Sequence, residues 1–188
     1  MENKKYFNIF ELISLIQEPN KSAFLRMIKE NEDIFFQAKG SAIKHQAWEG
    51  GYVDHITECL NMAINLFETL DNLRHLPFSL EDCLIVLFLH DLEKPWLYGG
   101  KISFNQREER YSFREQILYD YRVSLTEDQM IALRYVEGEG KDYSPTKRVM
   151  NPLGAFCHSC DTLSARMWHD RPYDKQEQWG HRSQFTTL

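Results

Sequence analysis

Apolar residues recur at helical spacing along most of this chain, and the places where the rhythm fails mark its joints. Apolar positions 6, 9, 10, 13 and 16 predict a helix over 6–17, ended by Pro19. A second amphipathic helix is expected over 22–36, carrying Phe24, Leu25, Ile28, Phe35 and Phe36. The irregular stretch 37–51 closes on Gly50 and Gly51, a pair that breaks structure and lets backbones approach closely. Val53, Ile56, Leu60, Ala63, Ile64, Phe67 and Leu70 predict a strong helix from 52 to about 71.

Ser79 and Asp82 form a capping pair for a helix over 80–92. That segment is apolar nearly all round, so it is expected to be central and buried. A charged helix follows over 106–121, and Thr126 with Gln129 opens another that runs to about 136. Residues 137–148 hold two glycines, a proline and no apolar period, which reads as a loop of a length that is often functional. Asn151 and Pro152 suit the N-cap and first position of a last long helix, 152–168. Nothing alternates as a strand does. The fold class is all-α, a bundle of about seven helices.

With 188 residues the chain suits one domain with short additions. The expected division is N-terminal helices 1–38 packed on a core domain 39–170, then a polar tail 171–188. The first residues show no leader with an apolar run of about 7–15 residues, and no apolar run spans a bilayer, so a cytoplasmic protein without a membrane partner is expected. The four cysteines are then free thiols. A net charge of −6 argues against duplex nucleic acid as a partner, yet leaves room for a local basic pocket that takes a phosphorylated small molecule.

Ionisable residues on apolar helical faces narrow the chemistry, because a buried charge is costly unless paired or bound to a metal. His90 and Asp91 close the most hydrophobic segment of the chain. His55 lies beside the apolar stripe of its own helix. Asp161 sits among the small neighbours Cys157, His158, Ser164 and Ala165, which leave space for an ion or ligand. A mixed His/Asp set suits one divalent ion: Mn, Co, Ni, Fe, Zn or Mg. Cys157 and Cys160 lack a second pair and lie inside a predicted helix, so they read as packing residues.

The order His55, then His90-Asp91, then Asp161 resembles the H…HD…D signature of the HD-domain phosphohydrolases. GGYVDHITECLNMA is similar to the first-histidine helix of that family, LIVLFLHDLEKPW to its HD helix, and NPLGAFCHSCDTLSARMW to its last helix. The double glycine is similar to that of HD-type 3′–5′ exoribonucleases and of bacteriophage HD proteins. The resemblance covers about residues 40–170. It implies an HD-domain helical bundle in which His55, His90, Asp91 and Asp161 hold one divalent ion. Water activated by that ion attacks a phosphorus atom, and Asp91 doubles as its orienting base.

Lys94 resembles the phosphate-contacting lysine of HDxxK variants; the deoxynucleotidases carry a glutamate there, whereas this chain has Glu93 one residue earlier. His158 is the sole histidine between Asp91 and Asp161, which favours a single metal. Tyr135, Glu137 and Glu139 stand where a further ligand would otherwise be, and Glu137 is a candidate acid. His45 is a candidate phosphate contact or extra metal ligand, Trp48, Trp96, Tyr98 and Tyr143 are candidates for base contacts, and Lys141, Lys147 and Arg148 for a basic lid.

The first expectation is hydrolysis of a phosphomonoester or anhydride of a nucleotide, foremost a deoxynucleoside mono- or triphosphate. The alternatives are a 3′–5′ exonuclease or phosphodiesterase on single-stranded or cyclic nucleotides, and an HD-fold module that binds a nucleotide without turnover. The helix over 6–17 can pack on its own core or on a second copy in a homo-oligomer.

Overall fold

A computed structural model describes residues 6–104 and 106–167. The elements are α1 (Ile9–Ile13), α2 (Asn20–Glu30), α3 (Glu32–Phe35), α4 (Gly51–Leu73), α5 (Leu80–Leu89), α6 (Lys94–Tyr98), α7 (Arg107–Asp120), α8 (Glu127–Tyr135) and α9 (Pro152–Met167), with a 3₁₀ turn at Gly140–Asp142. The described residues contain no strand, and the all-α expectation holds. None of their helices is long and apolar enough to cross a membrane. The expected polar tail, 171–188, lies outside the described residues.

The start signals act as their chemistry requires. The Ser79 hydroxyl accepts from the Asp82 N–H and the Asp82 carboxylate accepts from the Ser79 N–H, which opens α5. Thr126 and Gln129 do the same for α8, and the Asn151 side chain accepts from the Gly154 N–H at 2.8 Å to start α9. Three helices differ from expectation. The first is a short α1, capped by Asn8 and Glu11, that continues only as tight turns to Ile16. The expected 22–36 helix splits at Asn31, whose side-chain amide donates to the Met27 carbonyl and the Tyr121 hydroxyl. The third, over 80–92, stops at Leu89. Pro95 has no N–H to give the Asp91 carbonyl, which instead accepts from the Lys94 N–H at 3.0 Å as the chain turns into α6.

Helix α5 is the hub. Its residues Cys83 to Leu89 are all buried, each apolar one contributing about 1.5–3 kcal/mol if Val-, Leu- or Phe-sized. It packs against α4, α8 and α9, and α4 and α9 also pack on each other. The N-terminal helices share this core: α1 lies on α4, and Phe24 of α2 stacks on Phe88 of α5 at 4.3 Å. Three helices that meet along one seam therefore carry His55, His90-Asp91 and Asp161 to one end of it.

Candidate metal centre

His55 stands on the second turn of α4, and the preceding loop fixes where that helix begins. A Cβ on Gly51 would lie 1.9 Å from the Gln46 carbonyl oxygen, so only glycine lets the loop close on the helix start. Gln46, at φ 42 and fully buried, sends its side-chain amide to Glu58 Oε2 and Ser164 Oγ. Trp48 donates its indole N–H to Asp54 in the first turn of α4, at 2.7 Å.

The tautomer of each buried ring follows from its partners. His90 Nδ1 lies 2.7 Å from the Leu87 carbonyl, which can only accept, so Nδ1 carries a proton. Ser164 donates its hydroxyl to Glu58 Oε2 at 2.8 Å and is left to accept from His55 Nδ1 at 3.0 Å. Both rings therefore turn Nε2 towards one point. The two Nε2 atoms are 3.3 Å apart. Asp161 Oδ1 is 3.1 Å from that of His55 and 3.6 Å from that of His90, and Asp91 Oδ2 is 3.5 and 3.2 Å from them. Neighbouring ligands about 2.0–2.2 Å from a divalent ion stand roughly 3–3.5 Å apart. The separations between the two histidines, and from them to each aspartate, are of that size, and the Nδ1 hydrogen bonds are of the kind that orient metal-bound histidines.

Cys59 is a neighbour that sequence reading assigned no role. His55, Cys59, His90 and Asp161 lie within 4.8 Å of one another and can hold a metal ion. The Cys59 sulfur, however, is 3.8 Å from each nitrogen of His55, beside the ring and not off the Nε2 lone pair. Burial also pushes its thiol well up. Its position four residues after His55 was the available clue.

The electrostatics call for positive charge at this point. Burial drives His55 down to about 4. Burial would lower His90 too, but Asp91 and Asp161 outweigh it and lift the ring to about 10. Against the cost of burial, the charges of Lys94 and His90 hold Asp91 well below the carboxylate range, and the neighbouring His55 and His90 do the same for Asp161. Lys94 pairs with Asp91 Oδ2, and that carboxylate outweighs the desolvation of its ammonium, raising it.

The centre opens on a cleft of about 820 Å³ whose lining includes His45, Lys94, Tyr98, Arg110, Glu137 and Arg166. Of the sequence candidates, His45, Lys94, Tyr98 and Glu137 line this cleft. His45 is held by Gln46 at 2.7 Å, with its ring 4.8 Å from that of His55. Trp48 and Trp96 do not line this cleft; Trp48 clasps α4, and Trp96 packs edge-on against Phe35 and Phe113. Lys141, Lys147 and Arg148, expected as a basic lid, and Tyr143, expected as a base contact, are exposed and do not line it. Asp142 binds Arg134 and Tyr135, and Glu139 accepts from the Met150 N–H, which draws the loop onto α8 and the start of α9.

Two functional candidates escaped sequence reading. Glu93 is buried and paired with the equally buried Arg114 of α7 at 2.9 Å, and Arg114 also reaches Glu137 at 3.6 Å. Asp91, Glu93 and Glu137 form a second group within 4.8 Å. Burial, then the charge of Asp91, raises Glu137. Cys157 and Cys160 are buried free thiols, and His158 donates to the Val136 carbonyl at 2.7 Å at the cleft edge. No protein-family model, curated protein or solved structure matches this chain.

Proposed function

We propose that this chain is an HD-type phosphohydrolase that uses one divalent ion to hydrolyse a phosphate ester or anhydride of a nucleotide. The observation that carries the reading is the convergence of Asp91 Oδ2 and Asp161 Oδ1 on His55 Nε2 and His90 Nε2, each aspartate 3.1 to 3.6 Å from both rings, beneath a cleft edged by cations. Those four residues would hold the ion. When bound, such an ion acidifies water and neutralises a phosphate oxygen.

The chain's own groups supply the rest. The Asp91 carboxylate lies at the cleft wall and can orient the attacking water and take its proton. Lys94, fixed by Asp91 and facing the same cleft, can donate to a phosphate oxygen and offset charge that grows in the transition state. His45, Lys44, Arg110 and Arg166 add donors around the mouth, which favours an anionic substrate. Glu137, with its raised affinity for a proton, is placed to protonate a leaving oxygen. Deoxynucleoside mono- and triphosphates are the first substrates to try.

Product analysis with Mn²⁺, Co²⁺ and Mg²⁺ tests this on nucleoside mono- and triphosphates, cyclic nucleotides and a single-stranded oligonucleotide. The expected result is one class consumed by the wild-type chain and left intact by Asp91→Ala. Turnover that persists in Asp91→Ala would sink the proposal. Tight nucleotide binding without product would assign the chain to the binding modules.

A further inference from the structure

Three segments meet beside the metal centre at one buried carboxylate. His55 and Glu58 lie one turn apart on α4, Asp161 and Ser164 lie one turn apart on α9, and Gln46 comes from the loop before α4. Glu58, Ser164 and Gln46 are all buried. We propose that Glu58 is a positioning residue: it keeps His55 in the tautomer able to hold an ion and, through Gln46, fixes the ring of His45 at the cleft. The inference deepens the reading above and rests on its ion site.

The hydrogens around Ser164 can be assigned one by one. Glu58 Oε2 accepts from Ser164 Oγ at 2.8 Å and from Gln46 Nε2 at 3.2 Å. A serine hydroxyl has one hydrogen and two lone pairs. Its hydrogen goes to Glu58, so the other groups that touch Oγ must donate. Gln46 Nε2 lies 3.3 Å from it and His55 Nδ1 lies 3.0 Å from it. His55 is thereby held with its hydrogen on Nδ1, and the lone pair of Nε2 is kept for an ion. Without Glu58 the serine hydrogen has His55 Nδ1 as its neighbouring acceptor. Donation there leaves the ring to carry its own hydrogen on Nε2, which removes the lone pair that an ion needs.

The second arm ends on the same carboxylate. The side-chain nitrogen of Gln46 is taken by Glu58 and Ser164, so its oxygen is the atom that meets His45 Nδ1, at 2.7 Å. An amide oxygen only accepts, so His45 also carries a hydrogen on Nδ1. His45 lines the cleft, and its Nε2 stays available to a ligand. One side chain thus orders an imidazole of the ion site and an imidazole of the cleft, whose rings lie 4.8 Å apart. A role in packing alone would need no acceptor at position 58, and a methionine of similar length would serve as well.

Long-range proton–nitrogen NMR on the full-length chain, stripped of metal, tells protonated from bare ring nitrogens. The wild type is expected to show the hydrogen on Nδ1 in both His55 and His45. Glu58→Met removes the acceptor at similar length. It should shift His55 towards the Nε2–H form and weaken cobalt(II) binding about 10–100-fold. Glu58→Gln keeps an oxygen that accepts, and should restore the Nδ1–H form and most of the affinity. Gln46→Met should release the His45 tautomer while His55 keeps its hydrogen on Nδ1.

An Nε2–H form of either ring in the wild type would overturn the proposal, whether or not any Glu58 variant folds. So would an unchanged His55 tautomer or an unchanged cobalt affinity in folded Glu58→Met, or a Glu58→Gln as damaging as Glu58→Met. Nucleotides left unhydrolysed would sink the phosphohydrolase reading alone, because tautomer and ion affinity are measured without substrate. Refutation of the role of Glu58 would leave turnover by the wild type, and with it that reading, intact.

Discussion

Two acidic groups meet at Asp91, and they face different partners. On one side Asp91 and Asp161 face the Nε2 atoms of His55 and His90. On the other, Glu93 and Glu137 face the Arg114 guanidinium. Both are compact: His55, Cys59, His90 and Asp161 fall within 4.8 Å of one another by their ligand atoms, as do Asp91, Glu93 and Glu137. The difference lies in what already balances the charge. Arg114 is a permanent cation, so its acids need no ion. Imidazoles are neutral ligands once deprotonated, so their acids call for a cation from outside. Proximity of acids alone does not define a metal site; the partner type does.

The sharpest way to break this comparison is to remove one imidazole. His90→Ala should lose both ion binding and turnover, read by metal analysis after dialysis and by product formation, whereas Glu93→Gln should retain the ion. The next largest effect falls on the other side. Arg114→Met leaves two acids without their cation and should cost about 3–5 kcal/mol of stability in urea titration. Exchanging Glu93 and Arg114 together for apolar residues should cost much less.

A smaller change sharpens the metal side. Ser164→Ala removes the acceptor of His55 Nδ1, at 3.0 Å, and should weaken ion affinity about 10–100-fold while the fold persists. The least effect is a pH slope. Burial, against the hydrogen bonds of Ser164 and Gln46, raises Glu58 from 4.5 to about 8. The native chain then keeps a proton that the unfolded chain gives up, so this group's contribution to stability falls as pH rises from about 4.5 to about 8 and is flat above. Urea midpoints at pH 5.5 and 8 should differ less in Glu58→Gln than in the wild type.

The sequence revealed the fold where local chemistry acts alone. The caps at Ser79, Thr126 and Asn151 and the apolar run of α5 are written in adjacent residues. His90-Asp91 was legible for the same reason: two ionisable groups close a run that is otherwise buried. What failed depends on residues distant in sequence. Asn31 breaks its helix because Tyr121 lies beside it, 90 positions on. Glu93 finds Arg114 across 21 positions, and His55 finds Ser164 across 109. The aromatic candidates divided similarly: Tyr98 lines the cleft, while Trp96 is drawn into packing by Phe35 and Phe113, a choice no local pattern reports.

The most direct test of the central claim is a cobalt(II) titration of the full-length chain, followed by its visible absorption and by metal content after dialysis. The account predicts one tightly held ion per wild-type chain, with absorption lost in His55→Ala and in His90→Ala and kept in Glu137→Gln. An ion that survives both histidine substitutions, or that leaves with Glu137→Gln, would contradict it.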